Sequence, residues 1–244
     1  MGNLIKPKDI QVITTQQKIL ALDFIPAKES PLFIKIFRLY TWLLFKRRFK
    51  NVWLKQEYEP CSECKTIYYL NHHSWWDGLI PLLLNEFRFQ QKARALMEDK
   101  QMRQHSLFQK IGAFSINRDD PRKAVTSLRY AVQSFQRDHA SLFIYPEGSI
   151  TPVGTDMEFE GGLAWLSDKL PDVDIVPIGI HMHTIRYDKP ELHLHVGRQL
   201  RRDKELSSEE RTQRFEYRLD QILASLRKEA GFQKDKKIGF EHMM

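Results

Sequence analysis

The residues best suited to chemistry are grouped in Asn71-His72-His73-Ser74-Trp75-Trp76-Asp77-Gly78. A helix starting between His72 and Asp77, with Ser74 as N-cap, would put Asp77 at its third position. The chain would then fold back far enough for the carboxylate to reach the imidazole. A carboxylate on one ring nitrogen fixes the tautomer and stabilises the imidazolium, which makes the ring a better general base. The same spacing has a purely structural reading. Ser74-x-x-Asp77 is a capping-box pattern, in which Asp77 only closes the helix and His72 only closes a turn. Spacing alone leaves both open.

Other polar residues are weaker candidates. Glu147 follows an apolar run over 141–145, and loops after strand ends commonly carry ligands in α/β sheets. Otherwise it is a turn residue. Ser149 lacks the Gly-x-Ser-x-Gly surroundings of a hydrolase nucleophile. His181 and His183 lie two apart, as do His193 and His195, around the turn sequence Asp188-Lys189-Pro190. An antiparallel pairing with 181 opposite 195 and 183 opposite 193 would set all four on one face. No carboxylate clearly joins them, so a metal site is not expected. Cys61-Ser-Glu-Cys64 has no second CxxC and is expected to be a structural turn; two cysteines make no disulfide framework, which favours a reducing compartment. Trp75 and Trp76 fit a pocket lining or core packing equally.

These residues need elements to position them. From residue 65 onward, short apolar runs alternate with amphipathic stretches. Strands are predicted over 66–70, 94–97, 113–116, 141–145, 174–180 and 191–196. Helices are predicted over 78–87, 100–110, 121–137, 157–169 and 207–229. In the helix from Pro121, Asp120 is the cap and proline suits the first position. Ala124, Val125, Leu128, Ala131, Val132 and Phe135 then recur every three or four residues. Strand–helix alternation predicts an α/β fold, with a central, largely parallel sheet flanked by helices.

Four blocks in this order resemble the glycerolipid acyltransferases, the family of 1-acylglycerol-3-phosphate acyltransferase. Asn71-His72-x-Ser74-x-x-Asp77 resembles its His-x4-Asp motif. Gly112-Ala-Phe114-Ser-Ile-Asn-Arg118 resembles Gly-x-x-Phe-x-x-Arg. Phe143-Ile-Tyr145-Pro146-Glu147-Gly148-Ser149 resembles Phe-Pro-Glu-Gly-Thr-Arg, and Ile175-Val-Pro177-Ile-Gly179-Ile180 resembles the strand that carries a proline. Together the blocks span about residues 60–200 and are far more specific than any one alone. The resemblance implies that His72 is the catalytic base and Asp77 its partner. Arg118, Glu147, Gly148, Ser149 and Gly112 would then lie at the substrate site, with Glu147 orienting the acceptor or supporting the His72 loop. It implies acyl transfer from acyl-CoA or acyl carrier protein to a lipid hydroxyl, with no cofactor and no metal. Backbone N–H groups near the helix start would be the oxyanion donors.

Two departures bear on the acceptor. The third block usually ends in arginine, but Ile150 stands there. A following Phe-Lys-x-Gly element reads Phe159-Glu160-Gly161-Gly162. Losing two cations should weaken phosphate binding by several kcal/mol. An acceptor without a phosphomonoester is therefore expected: a lysolipid, a glycolipid or a glycosylated isoprenoid. The alternative is 1-acylglycerol-3-phosphate acylation; a further one is a non-catalytic membrane-binding protein with the same fold, for which Ile150 argues mildly.

Composition agrees with an anionic partner, a nucleic acid or an acidic lipid surface, and does not choose between them. The 244 residues carry a formal charge of +7, with 42% hydrophobic and 28% charged residues, so disorder is not the default. The stretch 32–55 holds seven cations, no acid and many aromatics, a pattern suited to an anionic membrane surface. Residues 1–58 are read as a helical membrane-docking segment and 59–244 as the α/β domain. The N-terminus lacks the apolar core of a signal peptide and no apolar run reaches spanning length, so a peripheral, monotopic protein on the cytoplasmic face is expected. Nucleic acid is not an expected partner, because no recognition module or cation–aromatic sheet face is present.

Overall fold

The structure, a computed structural model, describes residues 24–61, 63–137, 140–201, 203, 205–230 and 239–244. Part of the expected leading segment and the Lys234–Lys237 tail lie outside these residues. The chain runs through α1 (Pro31–Arg48), β1 (Asn51–Gln56) and β2 (Thr66–Leu70), then a 3-10 turn (Trp75–Leu79) leading into α2 (Ile80–Leu84) and a π turn (Asn85–Phe89). Next come β3 (Lys92–Glu98), α3 (Asp99–Gln104), a second 3-10 turn (Ser106–Ile111), β4 (Ala113–Ile116), α4 (Pro121–Arg137) and β5 (Ala140–Ile144). The remaining elements are α5 (Gly162–Lys169), β6 (Asp174–His183), β7 (Glu191–Val196), α6 (Ser208–Ala230) and β8 (Phe240–His242).

All eight strands form one sheet in the order β4-β3-β5-β2-β6-β7-β1-β8. The five strands from β4 to β6 are mutually parallel, and β7 turns back antiparallel on β6. This is the expected α/β layering. Central β2 is buried along its whole length, which explains why Thr66–Leu70 reads as a continuous apolar run. Its alternate residues feed two cores. Tyr68 and Leu70 pack with Phe45 and Phe49 beside α1 and with Ile80 and Leu83 of α2. Ile67 and Tyr69 pack with Leu128 and Phe135 of α4, Leu163 of α5 and Phe215 of α6.

Several boundaries differ from the sequence reading. The expected helical segment ends at Arg48, and residues 51–56 form β1 inside the sheet, paired parallel with β7 and antiparallel with β8. The sequence hides this strand because no Gly or Pro separates it from the basic helix. The helix expected over 157–169 begins only at Gly162. The N–H groups of Phe159 and Glu160 instead bond to Glu216 Oε1 (2.6 Å) and the Pro146 carbonyl (2.9 Å), which holds that stretch as a loop. The histidine hairpin is shifted: His181 faces His193 and His183 faces Glu191, because β6 runs on to His183. A shift of two residues in the pairing preserves the common face. Among the described residues, no three His, Cys, Asp or Glu side chains assemble as a metal-holding group. Cys61 and Cys64 form the expected turn and are joined as a disulfide.

Helix α1 starts with Ser30, whose hydroxyl accepts the Phe33 N–H (3.3 Å), and with Pro31 at its first position. It is apolar on two faces. Thr41 and Phe45 are buried against the domain. Leu32, Ile36, Leu39, Tyr40 and Leu43 are exposed and fall on one stripe at helical spacing. No helix among the described residues is long and apolar enough to cross a membrane.

Candidate active site

β2 ends at Leu70, and the next side chain already fixes the loop. Asn71 is buried, donating to the Ile180 carbonyl (3.0 Å) and accepting the Ile180 N–H (2.8 Å). It therefore ties the start of the His72 loop to β6 with both ends of its amide. His72 follows. Its Nδ1 lies 3.3 Å from Asp77 Oδ2. The same Oδ2 accepts the N–H groups of His73 (2.7 Å) and Ser74 (2.8 Å), while Oδ1 accepts the Ser74 hydroxyl (2.8 Å). The two readings of Asp77 are thus not alternatives. One fully buried carboxylate closes the helix start and holds the histidine.

An ionised carboxylate can only accept, so His72 Nδ1 carries the proton and Nε2 carries the lone pair. That is the tautomer a general base needs. Tyr145 packs its ring 4.5 Å from the His72 ring and donates its hydroxyl to the Asp77 carbonyl (2.5 Å). Burial, and then the charge of Asp77, push the Tyr145 phenol well above its usual value, so it stays a donor. Sequence reasoning missed this residue. A tyrosine closing an otherwise apolar strand was the signal for it.

Glu147 supports the loop from the other side. Its Oε1 accepts the His72 N–H (2.8 Å), and its Oε2 accepts the Thr151 hydroxyl. Thr151 N–H in turn donates to the His72 carbonyl (2.8 Å), and its carbonyl accepts from His73 Nδ1 (3.0 Å). Thr151 is the second residue that sequence reasoning missed. The N–H groups of His72, His73 and Ser74 are all committed to carboxylates, so they are not the oxyanion donors expected near the helix start. Trp76 is a packing residue, edge-on to Phe45 (5.8 Å) and Phe49 (5.4 Å), whereas Trp75 is exposed. The turn that carries His72 and Asp77 is therefore packed against the end of α1.

Arg118 lies beyond β4. Its Nη1 donates to Glu160 Oε1 at 2.9 Å. Gly148 adopts φ +71, and a Cβ there would collide with both the guanidinium and the carboxylate. The third block thus uses its glycine to make room for an ion pair. Ile150 and Ser149 are exposed beside it in sequence. Gly112 has φ +98, and a Cβ there would collide with the Ala93 carbonyl, so the glycine lets the chain turn into β4.

A part-buried histidine held by a buried aspartate at the carboxyl end of a parallel strand, supported by a glutamate from the neighbouring strand's loop, has the geometry that a general base requires. The family model described as Acyltransferase matches residues 55–181, more than half of the chain, and the chain belongs to that family. The match contains His72, Asp77, Arg118, Glu147 and Glu160. Among curated proteins, none matches by sequence. Among solved structures, the chain is similar to the 1-acyl-sn-glycerophosphate (LPA) acyltransferase PlsC from Thermotoga maritima. The TM-score is 0.59 at 17% identity, over 79% of each chain, which establishes a shared fold.

Proposed function

We propose that this acyltransferase moves a fatty acyl group from a thioester, carried by coenzyme A or acyl carrier protein, to the hydroxyl of a lipid acceptor without a phosphomonoester. In this reading His72 Nε2 takes the acceptor's proton as its oxygen attacks the thioester carbonyl. The tetrahedral intermediate collapses, and the departing thiolate takes the proton back from the imidazolium. Asp77 stays ionised throughout and stabilises the charged ring. No acyl-enzyme is required, because one base can serve both substrates.

The observation that carries the acceptor class is the Arg118–Glu160 pair. Arg118 is the cation that remains of the family's anion-binding set, and it is bonded to a carboxylate of its own chain. Ile150 supplies no replacement. An incoming phosphomonoester would meet Glu160 first, and like charges at this range are unfavourable. The same pair disfavours lysophosphatidate as the acceptor.

The exposed stripe of α1, flanked by Lys35, Lys46 and Arg47, supports peripheral docking on an anionic membrane surface. The cytoplasmic side rests on the thioester carriers alone, since the Cys61–Cys64 disulfide removes the argument from free thiols.

The test is thiol release from palmitoyl-CoA and palmitoyl carrier protein with a panel of lysolipid, glycolipid and lysophosphatidate acceptors, run beside His72→Ala. Release should require both an acceptor hydroxyl and His72, with lysophosphatidate a poor acceptor. Preferred use of lysophosphatidate would overturn the acceptor class. Release unaffected by His72→Ala would overturn the mechanism. No release with any acceptor, from folded protein, would favour a non-catalytic membrane role.

A further inference from the structure

A groove of about 510 Å³ lies between α1 and the π turn, lined by Lys35, Arg38, Leu39, Trp42 and Phe87. It shares no residue with the His72 site. Its size falls within the range of small-ligand sites. The lining is amphiphilic: two cations together with a leucine and two aromatic rings. The Arg38 guanidinium lies 4.7 Å over the Phe87 ring, an arrangement that orients the group while its N–H edge can still meet an anion. Neither Lys35 nor Arg38 has a carboxylate partner among the described residues. No Asp or Glu occurs between Pro31 and Lys55 to supply one locally. Leu39 belongs both to the groove and to the exposed stripe of α1, so the groove opens onto the surface read as membrane-facing.

We infer that this groove is a binding site for one anionic phospholipid molecule. The lipid phosphate would sit on Arg38 and Lys35, and one acyl chain would lie along Leu39, Trp42 and Phe87. A water-soluble anion would use the cations and leave the aromatic floor wet. A neutral lipid would use the floor and leave two cations uncompensated. Only an amphiphile with a negative head satisfies both. The inference rests on the reading of α1 as a membrane-facing helix, and it adds a stoichiometric site to what would otherwise be a diffuse surface attraction.

The experiment is calorimetric titration of the full chain with dihexanoylphosphatidylglycerol and dihexanoylphosphatidylcholine, each dispersed as monomers, alongside sedimentation with phosphatidylcholine vesicles containing about a quarter phosphatidylglycerol. Saturable one-to-one binding of the anionic lipid is expected, weaker by about tenfold or more for the zwitterionic lipid and for Lys35→Gln/Arg38→Gln. Leu32→Gln/Ile36→Gln, on the stripe but outside the groove, should keep monomer binding within about twofold and lose vesicle binding. No saturable binding, equal binding of both lipids, an unaffected groove variant that remains folded, or displacement by millimolar inorganic phosphate would each overturn the site. Vesicle binding without monomer binding would leave the membrane reading standing and remove this one. Monomer binding without vesicle binding would do the reverse.

Discussion

On the His72 side of the site, Asp77 and Glu147 are 0% and 8% exposed, and every one of their carboxylate oxygens accepts a hydrogen bond. On the Arg118 side, a single ion pair stands with its two side chains 27% and 55% exposed. The first half is over-determined. Asn71 ties it to β6, and Tyr145 and Thr151 fix it from the loop after β5. The second half is held by one contact and by the space above Gly148. A buried network tolerates no change without structural cost, whereas an exposed pair can be exchanged almost freely. The reaction should therefore be fixed in this fold, and the choice of acceptor should be easy to alter.

Mutations on the two sides should separate stability from selectivity. Asp77→Asn should lower kcat by about 10³–10⁴-fold, because the amide no longer holds the proper tautomer. It should also cost about 1–3 kcal/mol of folding stability, because buried donors lose their acceptor. Turnover and urea denaturation of the same sample check both. An intact unfolding midpoint would show the carboxylate network to be less strained by the change than its burial implies. Glu147→Gln should act through the position of His72, slowing turnover by roughly 10–100-fold while the pH profile of the remaining activity keeps its shape.

On the other side, Ile150→Arg with Glu160→Lys should raise lysophosphatidate transfer by about tenfold or more and leave stability within about 0.5 kcal/mol. Ile150→Arg alone should do much less, since Glu160 remains. An equal gain from the single change would refute the idea that Glu160 guards the acceptor site.

The smallest effect lies away from both halves, on the histidine face of the sheet. Burial, and then the nearby His183, Arg227 and His73, lower His181 from its ordinary 6.5 to about 4. The unfolded chain therefore takes up a proton first as the pH falls. Stability should be complete above about pH 6.5 and decline from there toward about pH 4. His181→Gln should flatten that decline in urea midpoints measured near pH 7 and about pH 5.

The elements whose ends carry local signals were readable from sequence. Asp120-Pro121 marks the start of α4, and the unbroken apolar run over 66–70 marks the doubly covered β2. β1 was not readable, because Lys50 and Lys55 continue the basic character of α1 and its partner residues stand far along the chain. The same limit governs the site. His72 and Asp77 are close in sequence, so their spacing put their meeting among the readings open from the start. Arg118 and Glu160 were both identified as informative, but their bond spans 42 residues and no periodicity announces it. Tyr145 and Thr151 act through the backbone carbonyls of Asp77 and His72, 68 and 79 residues away, which composition does not encode.

The insertion of β1 beside β7 also sets an order of events during synthesis. Asn51 meets Glu191 across 140 residues, so β1 has no sheet partner until β7 has been made. At about 5–20 residues per second, that is a wait of roughly 7–28 s. During it, α1 and the strand behind it exist without the β6 and β7 residues that complete the core around Phe45 and Phe49. Helix α1 is synthesised long before the domain, and for those seconds its inward face is only partly covered while its outer stripe is bare. The seating of β1 is then a late step, finished only when β8 pairs with it, and ribosomes bearing this nascent chain would first present an incompletely covered amphipathic segment to whatever surface lies nearby.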